Sequence, residues 1–583
     1  MPVPGVRNDI VVRVNTRLSI HALLLCGVLI AALPVAAQSQ ANTQSPAAPA
    51  PIVIQVHANQ ATGSYTPIWN FFGADEPNYI YAPYGQKLLR ELSSYSPVPV
   101  YFRAHSLLTT GNGERSLKWG STNVYTERPD GSPVYDFTIT DRIFDTLLAA
   151  HVRPLVEIGF MPKALSTHPD PYRHDFPKGS IFTGWSYPPN DWSKWSNLVL
   201  AYATHLRSRY GAQTDNWYWE VWNEPDIPYW HGTPEEYDRL YDLTTAAIRK
   251  AIPNAKVGGP AATGIHPGRS EAFLRQFLDH CAHGTNAATG ATGAPLDFIS
   301  YHPKGSPTVV DGHLVMNVGA QLRAVRNGMQ VISSYPEYHH TPIILTESDP
   351  EGCAACTGPR EAYRNIPLYG ASVTEATMRT HQLARQYGVT VDGSVTWAFE
   401  YDDQPAFAGF RTLATHGADK PVLEAFHMLG MLGGEPGTNW LAVDSSGALP
   451  LDDVLEHSVT GAPDVNAVAT RDNGQIDILL WNYHDADLPA SPAQVSLAVD
   501  GLSGHTVSES QFRMDSTHSN SYRAWVQMGR PPHPDAHQQA ELEKAGHLEE
   551  TVSGKPLPVR SGKATVEITL PRNAVVLVRL KTR

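Results

Sequence analysis

The spacing of apolar residues changes character at about residue 436. Between about 67 and 435, short β-rich runs alternate with stretches whose apolar residues recur three and four apart, the pattern of amphipathic helices. The β-rich runs are IWNFFGAD (68–75), PVYFRAH (99–105), RPLVEIGF (153–160), WYWEVWNE (217–224), AKVGGP (255–260), DFISYH (297–302), PIILTE (342–347) and GSVTWAFE (393–400), eight in all. Between them lie QKLLRELSSY, DRIFDTLLAAH, WSNLVLAYATHLRSRYG and EAFLRQFLDHC. One helix start is explicit: Thr233 at the N-cap, Pro234 at N1 and Glu236 at N3 make a capping box. Eight β/α repeats over this length predict an α/β fold, a closed (β/α)8 TIM barrel. An open doubly wound sheet is the alternative, but no GxGxxG follows the first strand.

From 436 onward apolar and polar residues alternate, in QIDILLWNYH (475–484), AQVSLAVDG (493–501), ATVEITL (564–570) and AVVLVRL (574–580). This period and the turn residues between the runs predict an accessory antiparallel β-sandwich. One helix interrupts it, around HPDAHQQAELEKAGHL (533–548). PIVIQVHA (51–58) alternates too, so the segment 52–66 is expected to pair with the C-terminal sheet. The chain then divides into a signal peptide (1–37), a linker (38–51), that N-terminal strand (52–66), the barrel (67–435) and the sandwich (436–583). No solenoid repeat is visible.

Length agrees with this division, since 583 residues are too many for one core. A hydrophobic share of 42% with 17% charged residues suits a folded soluble protein, and a net charge of −13 disfavours nucleic acid and anionic membrane surfaces as partners. At the start, Arg7, Arg13 and Arg17 precede the apolar LSIHALLLCGVLIAALPVAA, and Val35-Ala36-Ala37 has the small-x-small form of a cleavage site. The expectation is an exported protein, periplasmic or extracellular, with no membrane segment after the signal is removed. A membrane anchor is the alternative, for an apolar run only marginally long enough to span a bilayer. Three cysteines follow: Cys281, Cys353 and Cys356. Zinc would need a second ligand pair near Cys353 and Cys356, and none has metal spacing. A local disulfide and two free thiols both remain open. The 25 His show no HExxH motif, and a reaction run by two carboxyls, the reading reached below, needs neither metal nor organic cofactor.

In a barrel of this kind, residues at the C-terminal strand ends share one mouth. That rule selects Arg103-Ala104-His105, Asn223-Glu224, Tyr301-His302, Thr346-Glu347, and Trp397 with Glu400. Glu224 and Glu347, on strands four and seven, are the two carboxyls that glycoside hydrolysis needs: one protonated to serve the leaving oxygen, one ionised. WEVWNEPDIPYW (219–230) sets Glu224 among Trp219, Trp222, Tyr229 and Trp230, surroundings that disfavour its charged form. A surface turn is the plainer reading of Asn-Glu-Pro-Asp. Glu347 follows the apolar PIIL and is expected to stay ionised through donors such as Tyr301 or His302. Either acid alone also fits a salt bridge at a barrel end.

WNEPD at strand four together with PIILTE at strand seven resembles glycoside hydrolase family 39, in the large clan of retaining barrel enzymes. RPLVEIGFMP (153–162), DFISYHPKG (297–305), WAFEYDDQPAFAGFRTLATHGADKPVLEAFHML (397–429) and MDSTHSNSYRAW (514–525) extend the resemblance over nearly all of the chain beyond the leader. It implies double displacement, with Glu224 as acid/base, Glu347 as nucleophile and their carboxyls about 5–5.5 Å apart. It further implies Asn223 on the sugar 2-OH, His105 and His302 on ring hydroxyls or the nucleophile, Trp397 as a platform and Phe160 as a wall. Core packing is the plainer reading of Trp397, Phe160 and either histidine. Xylosidases of the family carry a Glu-Glu pair after the strand-eight Trp; here the stretch reads YDDQPAF, so Asp403 and Gln404 take that place. Lys304 and Arg411 resemble positions where family iduronidases hold a carboxylate. The alternative pairs Arg411 with Asp402 or Asp403 and turns Lys304 to solvent or a barrel acid.

The reading that follows is an exo-acting retaining glycosidase on β-xylosides of short oligosaccharides. Another glycoside (α-L-iduronide, β-glucoside, β-galactoside or α-L-arabinoside) is the alternative substrate. A carbohydrate-binding protein on an inactive barrel and a metal-dependent hydrolase are the other classes. CAACTGPREAY (353–363), close behind Glu347, is expected to form a lid or pocket wall.

Overall fold

The computed structural model describes residues 51–176 and 179–582. The expected signal peptide and nearly all of the expected linker lie outside the described residues. Eight parallel strands close into a barrel: Phe71–Ala74, Val100–Ala104, Val152–Ile158, Tyr218–Val221, Lys256–Thr263, Phe298–His302, Ile343–Leu345 and Val391–Trp397. Each pairs with its neighbours in sequence, and the eighth returns to the first through Val395 opposite Phe71. They are numbered one to eight below. Every expected run overlaps one strand, strands three and eight beginning before their runs, at Val152 and Val391. Strand five runs past its expected end at Pro260, through a shift in register between Pro260 and Ala262.

Alternation along these strands explains the layers. Phe71, Tyr101, Leu155, Tyr218, Phe298, Ile344, Val395 and Trp397 point inward and form one buried interior cluster. The intervening residues Phe102, Val156, Trp219, Ile299 and Leu345 point outward into the larger core beneath the helices. Two residues beyond an inward ring or Leu, strands two, three and four place Arg103, Glu157 and Glu220, all fully buried. The barrel is thus apolar at its base and charged near its C-terminal end. The capping box at Thr233 is present and starts the helix Pro234–Ala251.

The second layer system is a nine-stranded sheet that curls around its own apolar interior, which includes Ile54, Val465, Ile478, Leu497, Val566 and Val578. The four expected runs are strands Gln475–Tyr483, Ala493–Asp500, Ala564–Leu570 and Val575–Thr582. Asn439–Ser445, Asp464–Asp472, Thr506–Met514 and Glu549–Pro558 complete the C-terminal part. The ninth strand is Ile52–Ser64, inserted between Asn439–Ser445, to which it runs antiparallel, and Ala493–Asp500, to which it runs parallel. Helix Ala536–Gly546 falls within the expected 533–548, and a shorter helix, Ser521–Gln527, precedes it. Opposite the sheet interior, Trp481, Leu577 and Met514 join the barrel core. At that seam Arg379 binds Glu375 at 2.7 Å and Asp464 at 2.9 Å, and Trp481 Nε1 donates to Glu375 at 2.6 Å.

Candidate active site

Strand four ends in an unusual turn. Trp222 and Glu224 both adopt left-handed backbone conformations, φ 73° and 45°. Non-glycine residues there cost about 1–3 kcal/mol each, so their surroundings must hold them. The Trp222 indole does so, donating to the Tyr229 carbonyl at 2.9 Å and meeting Trp230 edge-on at 5.0 Å; the Glu224 N–H donates to Ala261 O at 2.9 Å. The turn breaks strand alternation, so consecutive residues Asn223 and Glu224 both reach the mouth. Asn223 accepts from Arg103 Nη2 at 3.0 Å, and Glu224 Oε1 lies 3.0 Å from His302 Nδ1. Most of the rings around Glu224 serve the turn rather than the carboxyl. Trp219 faces outward beside Trp217, whereas the Tyr229 phenol does feel the Glu224 charge. Burial, then the neighbouring Glu347 charge, pushes Glu224 up to about 7.

Glu347, at the end of strand seven, is held the other way. Burial alone would raise it, but Lys304 Nζ at 2.8 Å and His105 Nε2 at 3.2 Å keep it well below the usual carboxylate range, and Arg103 Nη1 lies 3.2 Å away. His105 is itself cationic. Burial opposes that state, but Glu157, Asp75 at 3.0 Å and Glu347 push the ring up to about 10. His302 is the reverse case, driven down to about 3 by burial and therefore neutral between Glu224 and Thr346. Glu224, His302 and Glu347 each place one ligand atom within 4.8 Å of the others.

Tyr301 departs from expectation. Its hydroxyl donates to the Val325 carbonyl at 2.8 Å and its ring packs in the outer core. Only one of two consecutive strand residues can face the mouth, and on strand six it is His302. Arg103, placed at the mouth by the strand-end rule but given no role there, turns out to be central. Fully buried, it donates from Nε to Glu220 at 2.5 Å, approaches Glu157 at 2.9 Å, and also reaches Asn223 and Glu347. Its inward neighbour Tyr101 was the available signal: every second residue from Tyr101 leads to Arg103 and then His105. Asp75, ion-paired with Lys118 as well as His105, closes the strand-one side.

The remaining candidates divide. Trp397 lies buried in the barrel interior, 4.4 Å from the His105 ring with Arg103 over its face at 5.0 Å. Phe160 is buried in the outer core, edge-on to His105 at 6.0 Å and 5.6 Å from Tyr229. Lys304 bridges Glu347 and Asp349, a barrel-acid role. Asp403 sits at the exposed rim, accepting from the Tyr79 hydroxyl at 2.7 Å and from Gln404 Nε2 at 3.2 Å. No contact between either of them and Glu224 or Glu347 occurs among the described residues. Arg411 does not reach the mouth and does not pair with Asp402 or Asp403. The bridge between Phe399 and Thr412 draws it beneath the barrel end, where it is fully buried, bonded to Trp397 O at 2.9 Å and Glu351 Oε1 at 2.7 Å, with Asp349 at 3.5 Å.

The family model for glycosyl hydrolases family 39 matches residues 54–562. This chain belongs to glycosyl hydrolase family 39. It is therefore a glycoside hydrolase, and the acids at strands four and seven line the mouth of a family 39 barrel. Among relatives, a β-xylosidase of Caldicellulosiruptor saccharolyticus is 28% identical over 463 residues, covering 78% of this chain and 84% of that protein. An α-L-iduronidase of Mus musculus is 26% identical over 484 residues, 78% of this chain and 70% of that protein. The crystal structure of a monomeric β-xylosidase from Caulobacter crescentus CB15 superposes with a TM-score of 0.71 at 22% identity, covering 91% of this chain and 99% of that one. That likeness concerns the fold.

In this family 39 chain, Glu224, His302 and Glu347 are the one group of three metal-type ligands brought together among the described residues. The donor set is a poor one for a dication. Lys304 already sits on Glu347, with Arg103 and a cationic His105 beside it.

Proposed function

We propose that this glycoside hydrolase removes terminal β-D-xylosyl residues from short xylo-oligosaccharides or related β-xylosides with retention of configuration. The observation that carries the mechanism is the contrast between two acids whose oxygens lie within 4.8 Å of each other. Glu224 is pushed up to about 7 and Glu347 is held well below the usual range. Spacing this short suits a retaining enzyme, whose carboxyls are about 5–5.5 Å apart, and leaves no room for the intervening water of an inverting one. Glu347 attacks the anomeric carbon while Glu224 gives its proton to the departing oxygen, so one C–O bond forms as the other breaks. Water then attacks the glycosyl-enzyme, passing its proton to Glu224 and releasing Glu347. In this reading Asn223, held by Arg103 at 3.0 Å, meets the sugar 2-OH and Trp397 lies beneath the ring.

An exo mode is supported by enclosure, the Glu347 and Glu224 side chains being only 7% and 14% exposed. A neutral pentose is supported by the two cations best placed to hold a sugar carboxylate, both of which have acids of their own. Lys304 is taken by Glu347 and Asp349, and Arg411 by Glu351. A working module confined to the sheet domain has little support. No ring of that domain is among the exposed large apolar residues described.

The test is a panel of aryl glycosides (β-xyloside, α-L-arabinoside, β-glucoside, β-galactoside and α-L-iduronide), with the product anomer followed by NMR. Fastest release from the β-xyloside as the β-anomer is expected. First-formed α-xylose would overturn retention, faster turnover of another arm would overturn the sugar, and saturable binding without product would overturn catalysis. Glu347→Ala is expected to lower kcat by about 10³-fold or more.

A further inference from the structure

Shortly beyond Glu347, Cys353 and Cys356 are joined, their Cα atoms 5.4 Å apart. Cross-linking residues only three apart in sequence removes little chain entropy, so the effect of the bond is on local shape. Arg364, fully buried, depends on that shape. It donates to the carbonyls of Cys353 at 2.6 Å, Ala354 at 3.1 Å and Cys356 at 2.5 Å, and to Glu351 Oε1 at 2.7 Å. The Cys353 N–H holds the other oxygen of Glu351 at 2.6 Å. Ala354 is the one member of the inward barrel cluster around Trp397 that is not on a strand, and its carbonyl accepts from the Arg411 N–H at 3.1 Å.

From Glu351 the charges alternate back to the site. Glu351 Oε1 lies 2.7 Å from Arg411, Arg411 Nη2 lies 3.5 Å from Asp349, Asp349 lies 2.6 Å from Lys304, and Lys304 lies 2.8 Å from Glu347. Arg411 Nη2 is buried and makes no hydrogen bond. It faces Asp349 just beyond bonding distance, so the balance between Glu351 and Asp349 decides where this guanidinium rests.

We propose that the disulfide loop is a positioning element for the Glu347 carboxylate, acting through Glu351, Arg411, Asp349 and Lys304. The inference rests on the reading of Glu347 as nucleophile. With the loop closed, Glu351 draws Arg411 off Asp349, and Asp349 shares Lys304 with Glu347. With the loop open, Arg364 loses its three fixed carbonyls and Glu351 its backbone donor. Arg411 then turns to Asp349, Lys304 settles wholly on Glu347, and the carboxylate becomes better stabilised and less nucleophilic. Besides the more distant Lys118 and Tyr229, the other groups that face Glu347 are His302 from strand six, Arg103 and His105 from strand two, and Glu224 from strand four, with Asp75 and Glu157 behind His105. None of these is bonded to the loop among the described residues, so the Lys304–Asp349 side is the route of communication.

The experiment compares wild type, the Cys353→Ser/Cys356→Ser double variant, Glu351→Gln and Glu351→Asp on whichever aryl glycoside wild type turns over fastest. Failure of the xyloside assignment is thereby kept separate from failure of this inference. Thiol labelling with mass spectrometry first checks that wild type carries the bond. The double-serine variant and Glu351→Gln are each expected to lose about tenfold in kcat with a smaller change in KM. Both should move the acid limb of the kcat profile to lower pH, Glu351→Asp should recover part of the loss, and the two changes combined should cost less than their product. Wild-type kcat and an unmoved acid limb in the double-serine variant would overturn the proposal, as would strictly multiplicative effects. Should that variant not fold, Glu351→Gln with an unmoved acid limb is overturning by itself.

Discussion

His302 Nδ1 lies 3.0 Å from Glu224 Oε1 while its Nε2 lies 3.1 Å from Thr346 Oγ1. A neutral imidazole therefore stands between the acid of strand four and the residue that precedes Glu347. Being uncharged, it leaves the upward shift of Glu224 intact where a cation would cancel it. The pH dependence of kcat/KM should be bell-shaped. Activity is expected to fall as pH rises through about 7, where Glu224 loses its proton. The acid limb belongs to Glu347 and lies well below the usual carboxylate range. Glu224→Gln should abolish the basic limb and lower kcat by about 10²–10⁴-fold on substrates with poor leaving groups, with azide restoring turnover of activated ones. A basic limb unchanged in Glu224→Gln would refute the assignment of the acid.

Arg103 offers a second test. Glu157 and Glu220 flank it with no exposed surface, and Glu157 makes no hydrogen bond of its own. Arg103→Met leaves these acids and Glu347 around an uncharged side chain. The expected costs are about 3–5 kcal/mol of stability, read by denaturant unfolding, and about 10²-fold in kcat. Arg103→Lys keeps the charge but cannot span all of the partners at once, and should fall between the two.

Tyr301→Phe checks the orientation of strand six. Loss of the bond to the Val325 carbonyl should cost about 1 kcal/mol of stability with kcat and KM unchanged. A large loss of turnover at full stability would place this hydroxyl in the mouth after all.

Thermal stability should decline as pH rises from about 6.5 toward 9. Burial raises Glu76, Glu157 and Glu224 to about 7, and Glu375 and Glu400 to about 8. The folded state therefore keeps protons that the unfolded chain has already released, and stability falls with pH until these groups ionise. His105, raised to about 10, acts in the same direction above its ordinary value. The lowered histidines His302, His381 and His427 act oppositely, but only below about 6.5. Melting curves across this range decide the matter, and a Tm that rises from pH 6.5 to 9 would contradict it.

Much of this architecture was legible because barrel strands and helices differ in period, and all eight strand runs carried that mark. The two acids were legible because each closes an apolar run at a strand end. What escaped depended on contacts far apart in the chain. Tyr301 and His302 look equivalent in sequence, and only the phase set by Phe298 turns one inward. Asn223 and Glu224 break that same rule, because the left-handed backbone at Trp222 needs an anchor at Tyr229 that no local pattern announces. Arg411 was misplaced for a similar reason: its position follows from the return of the strand-eight loop onto Phe399, and its partner Glu351 lies sixty positions away. Arg103, Glu157 and Glu220 were within reach, since each falls on the inward phase of its strand.

The strand Ile52–Ser64 sits between two strands supplied by the far end of the chain. During synthesis this strand is made before the barrel but meets its partners only after residue 439, so the whole barrel is made while this ribbon waits with both hydrogen-bonding edges open. A nascent chain halted before residue 439 would carry that ribbon as an adhesive flag, which makes premature termination a hazard of clumping as well as of lost activity.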